Sequence, residues 1–206
     1  MQSVDAVVFD IGNVLIRWDP CNLYRRMGLT DAETAAFMVE TALAEVNHRR
    51  LDAGEPFTPT ITELARRFPH HAGYIEAFDR RWPEMLGGAI DGSVTVLRSL
   101  LAAGIPVHAI SNFSRTKFDL AREVFTFLDE FDDIIVSGDV GLVKPDREIF
   151  DLLIARCDLD PARSVFIDDN AANIETARGL GFMTVHFDER TTDLKNVLSG
   201  LGVPLR

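Results

Sequence analysis

Five short apolar runs, separated by helix-like segments, set the tightest limit on what this chain can fold into. They are residues 6–9 (AVVF), 107–110 (VHAI), 134–136 (IIV), 165–167 (VFI) and about 183–187. Runs that are apolar at consecutive positions suit strands buried on both faces, as in a parallel sheet covered by helices. The intervening segments carry helical spacing and stops: Val96, Leu97, Leu100 and Leu101 before Gly104, a helix over 114–125, one reaching Cys157, and one over 171–180 before Gly181. A closing helix runs through Leu194, Val197, Leu198 and Leu201. Strand–helix alternation of this kind predicts right-handed βαβ units and an α/β, Rossmann-like parallel sheet.

One interval breaks the rhythm. Asp10 to Ser111 spans 101 residues, against 33 from Ser111 to Lys144 and 24 from Lys144 to Asp168. A single crossover needs only about 30 residues. The surplus is helical in pattern. Thr30 and Glu33 form a capping box before Phe37, Met38, Leu43 and Val46, and Gly54 with Pro56 ends that region. Thr58-Pro59 opens a second helix with Ile61, Leu64 and Ala65, and a third carries Ile75, Phe78 and Trp82. The expectation is therefore a core of residues 1–16 and 89–206, with an all-helical cap over 17–88 that contains no strand. Its hinges would lie at 17–20 and 87–92. A lid attached directly after the first strand can shut water out of a site at that strand's end.

Polar residues recur where the strands end, which is where ligands bind in open α/β sheets. They are Asp10 in VDAVVFDIGNVL, Ser111-Asn112, Lys144 in VKPD, and Asp168-Asp169. Each has a plain alternative. Asp10 could cap a turn, Ser111 and Asn112 could cap the next helix, Lys144 could be a surface lysine, and 168–170 could be a polar loop with an N-cap. Together they supply what phosphoryl transfer through an aspartyl nucleophile requires. One carboxylate attacks, a hydroxyl and backbone N–H groups hold phosphate oxygens, a lysine offsets charge, and further carboxylates hold Mg²⁺.

The four motifs resemble those of the haloacid dehalogenase-like (HAD) hydrolases over essentially the whole chain. FDIGNVL is similar to the family's first motif, which puts Asp10 in the nucleophile position. ISN resembles the second, with Ser111 as phosphate ligand, and VKPD the third, with Lys144 as the charge-offsetting lysine. FIDDNAANIETARGLG resembles the fourth, with Asp169 and Asp168 at the metal site. The resemblance implies a Mg²⁺-dependent phosphatase of small phosphorylated metabolites. Mg²⁺ would be held by Asp10, the Gly12 carbonyl, Asp168 and Asp169. Ile11, Gly12, Asn13, Ser111, Asn112 and Lys144 would bind the phosphoryl group.

Two rivals remain open at this level: a metal-independent 2-haloacid dehalogenase, and a catalytically weak member that binds a phosphorylated ligand. Dehalogenases of the family carry small hydroxyl residues where this chain has Asp168 and Asp169, and a tyrosine in place of Phe150. Two adjacent carboxylates without a cation repel each other. The chain departs from most phosphatases of the family at Gly12, where they place an acid–base aspartate. A subgroup sharing FDxGNV includes enzymes of sugar 1-phosphates. Either another residue, with His48 of the cap as a candidate, takes the acid–base role, or the substrate has a good leaving group.

The formal net charge of −11 argues against nucleic acid or an anionic membrane as partner. No signal peptide or membrane span is evident, and Cys21 and Cys157 have no metal-like spacing. A cytoplasmic monomer or homodimer with reduced thiols is expected.

Overall fold

The computed structural model describes residues 4–205. Seven strands form: β1 (Ala6–Phe9), β2 (Ile16–Trp18), β3 (Leu86–Ala89), β4 (Val107–Ser111), β5 (Asp133–Val136), β6 (Ser164–Asp168) and β7 (Met183–His186). Five of them make a parallel sheet in the order β5-β4-β1-β6-β7. β1 is central and pairs Phe9 with Ala109 on one side and with Ile167 on the other. That placement follows from its composition, because all four of its residues are buried and only a central strand covered on both faces hides both sets.

Side chains alternate across the sheet, so β1 feeds two cores. Val7 and Phe9 face one of them, with Leu97, Leu100, Phe118 and Leu198 from helices Asp91–Ala102, Arg115–Val124 and Leu194–Gly200. Val8 faces the other, with Ile149, Phe150, Leu153, Ile174 and Ala177 from helices Arg147–Arg156 and Ala171–Gly179. This is the α/β architecture expected from the apolar rhythm. No helix among the described residues is long and apolar enough to cross a membrane. Cys21 and Cys157 are free thiols.

The segment between β1 and β4 differs from expectation in one respect. It is mostly helical, with helices Pro20–Arg26, Asp31–Glu40, Phe57–Arg67 and Ala72–Arg80, and the Thr30–Glu33 capping box forms as read. It is not free of strand. β2 and β3, which coincide with the two expected hinges, pair antiparallel as a short ribbon, Ile16 with Ala89 and Trp18 with Leu86. Strands of three and four residues are too short to show alternation. What holds them is cross-strand contact: a Cβ on Gly87 would come within 2.9 Å of the Arg17 Cβ, and an Arg17 guanidinium nitrogen donates to the Ala89 carbonyl at 2.7 Å. The helix expected to continue from Thr30 to Val46 also stops early. Ala42 is left-handed (φ 55°), and after it come the turn Leu43–Val46 and the π-helical turn Asn47–Leu51. Between β5 and Lys144 the chain makes a helical turn, Ser137–Val140.

The insert is docked on the core. The apolar cluster that holds Phe9 continues through Ile11, Val14, Leu15 and Ile16 to Tyr24, Phe37 and Phe78. Lys117 of the core ion-pairs Asp79 of the insert at 2.7 Å, with its ammonium 4.4 Å from the Phe57 ring centroid.

Candidate active site

Parallel pairing brings the ends of β1, β4 and β6 together, and with them Asp10, Ser111 and Asp168. Asp10 Oδ1 accepts from the Ile11 N–H at 2.7 Å and from Ser111 Oγ at 3.0 Å, and lies 2.9 Å from Lys144 Nζ. Lys144 also donates to Asp168 Oδ2 at 2.7 Å. It is 1% exposed, so its ammonium is enclosed between two carboxylates. Asp168 is 0% exposed, and its oxygens accept further bonds from the Asn170 N–H and the Asn173 amide at 2.8–3.0 Å. Its role in this network is to anchor the lysine. The Asn112 carboxamide accepts from the Lys144 N–H and donates to the Lys144 carbonyl, both at 2.8 Å. Asn112 is therefore a bracket for the lysine backbone rather than a spare donor.

The electrostatics follow from burial. Desolvation raises the Asp10 carboxyl to about 7, with Lys144 opposing and Asp168 assisting. For Lys144, burial works against the charge, but Asp10 and Asp168 outweigh it and hold its pKa above the ordinary lysine value. Asp169, half-buried, is raised by burial and by Asp168, while a hydrogen bond from Asn13 opposes this. Asp10, Asp168 and Asp169 can each place one oxygen within 4.8 Å of the others'. Three carboxylates face one lysine. Hard oxygen donors in this arrangement fit a small divalent cation such as Mg²⁺.

Above this cluster lies a cavity of about 260 Å³. Its floor carries Asp10, Gly12, Asn13, Ser111, Lys144 and Asp169. Its walls include Trp18, Phe57, Trp82, Leu86 and Phe113, none of which carries a site signal along the chain. Two polar residues escaped notice as well. Asn173 lies five residues beyond Asp168 within a helix, and Asp52 lies in the polar turn before Gly54. Asp52 reaches the cavity from the insert, and Asn47 Nδ2 donates to its Oδ2 at 3.2 Å. Burial, with Asp10 nearby, raises its carboxyl to about 8. His48 is not among the residues lining the cavity; its Nδ1 lies 3.3 Å from Asn112 Nδ2, and burial together with Arg49 lowers its pKa. Phe150 packs edge-on against Phe166 in the core beneath the sheet.

A buried aspartate at the end of a central parallel strand thus lies beside a buried lysine and two further carboxylates. The sequence matches the family model of the haloacid dehalogenase-like hydrolases over residues 4–181, and the chain belongs to that family. It is 25% identical over 189 residues to a sesquiterpene phosphatase of Aspergillus oryzae, covering 89% of this chain and 90% of that one. It is also 25% identical over 194 residues to the D-ribitol-5-phosphate phosphatase of Bacteroides thetaiotaomicron, covering 88% and 90%. Among solved structures, a magnesium complex of a HAD family enzyme from Bacteroides thetaiotaomicron superposes with TM-score 0.72 at 19% identity, covering 96% of this chain and 99% of that one. An L-2-haloacid dehalogenase superposes with TM-score 0.63 at 20% identity, covering 89% and 86%. Likeness at this identity shows a shared fold.

Proposed function

We propose that the chain is a cytoplasmic, Mg²⁺-dependent phosphatase of small phosphomonoesters, working through an aspartyl-phosphate on Asp10, with residues 17–88 as its cap. The observation that carries this reading is the charge balance of the site: Asp10, Asp168 and Asp169 against Lys144 alone. Carboxylates packed together in a closed site are costly unless a cation joins them. Asp10, Asp169 and the Gly12 carbonyl would hold Mg²⁺, with Asp168 at its edge. When bound, the ion offsets charge on the transferring phosphoryl group. Ser111, Lys144 and the Ile11 N–H gather on Oδ1 of Asp10 and fix the carboxylate in place for attack on phosphorus. Lys144 balances the oxygens of the phosphoryl group, and backbone at Gly12 and Asn13 contributes to the cradle. The aromatic wall excludes water and receives the alcohol, a sugar ring or another partly apolar group. The two phosphatase relatives support this reading.

The test is release of phosphate from p-nitrophenyl phosphate. Activity is expected with Mg²⁺, loss with EDTA, and a fall of at least about 10³-fold in Asp10→Asn, since a lost nucleophile is not replaced by its neighbours. Turnover that survives Asp10→Asn would refute the mechanism. Chloride release from 2-chloropropionate in EDTA would instead identify a dehalogenase. Tight binding of phosphate esters without turnover would identify a sensor.

A further inference from the structure

We infer that Asp52, carried over the site by the insert, is the acid–base residue of this enzyme and does the work for which Gly12 has no side chain. The inference rests on the phosphatase reading above. Four observations lead to it. First, the vacancy at Gly12 is real: a Cβ there would meet nothing within 4 Å, so no neighbouring side chain has moved into the space. Second, three carboxylates line the cavity, namely Asp10, Asp169 and Asp52. Asp10 and Asp169 are committed to attack and to the cation. Asp52 is the third, and it reaches the same cavity from the insert rather than from the strand ends.

Third, the turn that carries Asp52 is clamped to the core. Ser137 Oγ donates to the Asp52 carbonyl at 2.6 Å while accepting from the Phe113 N–H at 2.8 Å. Gly54, at φ +100°, approaches so closely that a Cβ on it would lie 2.6 Å from the Gly138 carbonyl oxygen. Arg49 pairs with Asp146 at 3.1 Å. Clamping of this kind places a catalytic group with the accuracy proton transfer needs. Fourth, the other proton carriers nearby are engaged. His48 meets the Asn112 amide and lies outside the cavity lining, and Lys117 is paired with Asp79.

The chemistry balances in two steps. In the first, an Asp10 oxygen bonds to phosphorus as the P–O bond to the alcohol breaks, and the Asp52 proton passes to the departing oxygen. In the second, a water oxygen bonds to the same phosphorus, one of its protons returns to Asp52, and the Asp10–phosphorus linkage breaks to release inorganic phosphate. Both aspartates finish as they began.

Two esters separate this role from a structural one. Benzyl phosphate needs its departing alkoxide protonated, whereas p-nitrophenolate leaves without help. Asp52→Asn is expected to lower turnover of benzyl phosphate by about 10²–10⁴-fold, the usual worth of general acid catalysis. With p-nitrophenyl phosphate the same variant should give a burst of nitrophenolate stoichiometric with enzyme and leave a stable phospho-aspartate, because the acid is not needed and the base is missing. The burst also shows that the variant is folded and its nucleophile intact. Adding Gly12→Asp to Asp52→Asn should restore benzyl phosphate turnover by at least about tenfold, since a Cβ at position 12 meets nothing within 4 Å. Benzyl phosphate turnover in Asp52→Asn within about threefold of wild type would overturn the inference. So would an equal loss on both esters with no burst and no rescue. A wild type that hydrolyses p-nitrophenyl phosphate but not benzyl phosphate would overturn it too, because it lacks an acid. Absence of Asp10-dependent hydrolysis of either ester would instead remove the phosphatase reading itself.

Discussion

Lys144 is the residue on which the site turns. A lysine ammonium this deeply buried is stable only because Asp10 and Asp168 flank it, and its backbone is bracketed by Asn112. Asp10, Ser111, Lys144 and Asp168 were legible along the chain because each closes or follows an apolar run. Asp52 was not, since an aspartate in a polar turn looks the same whether it faces water or a cavity. Its environment has a measurable consequence in metal-free protein. A carboxyl whose folded pKa is raised from 3.8 to about 8 holds its proton longer in the folded state than in the unfolded one. The folded state then binds more protons, so this contribution to stability is lost as pH rises through that window. Melting in EDTA from pH 5 to pH 8 should therefore show a steeper loss of stability in wild type than in Asp52→Asn. Parallel curves would show that burial, with Asp10 nearby, does not raise the Asp52 carboxyl.

The elements that matter most to the site are the least regular ones. The ribbon of β2 and β3 ties both ends of the insert together, and the π-helical turn Asn47–Leu51 delivers Asp52. Neither carries a sequence signal: the ribbon depends on pairing between positions far apart, and the π-helical turn is a local i→i+5 arrangement with no distinctive composition. Gly54 is the point where the turn meets the core. Gly54→Ala would place a Cβ against the Gly138 carbonyl and force an alanine into a left-handed backbone. Strain of this kind costs about 1–3 kcal/mol. The expected outcome is a lower denaturant midpoint together with a loss of turnover on benzyl phosphate, as Asp52 shifts away from the alcohol. A stability loss with unchanged turnover would show that the clamp does not set the position of Asp52.

At the scale of the whole molecule, the carboxylates Asp10, Asp52 and Asp169 line one cavity between the insert and the core. A ligand bound only by the folded state stabilises it by mass action, by about 2.7 kcal/mol at a hundredfold excess over its Kd. Mg²⁺ should therefore raise the melting temperature of wild type. The effect should be much smaller in Asp169→Asn, which keeps the fold but loses a carboxylate next to the cavity. Equal shifts in both proteins would place Mg²⁺ elsewhere. What the sequence determined by itself follows from local periodicity: five strands, the helices between them, the long and mostly helical insert, and the polar residues Asp10, Ser111, Lys144, Asp168 and Asp169 at or after the strand ends. Asp10 could be read in this way because the end of a buried central strand is defined by its own neighbours in the chain. What replaces the side chain missing at Gly12 was decided only by the tertiary structure. Asp52 lies 40 residues from Gly12 in sequence, and only the packing of the insert against Ser137 and Gly138 turns a polar loop into the roof of the site.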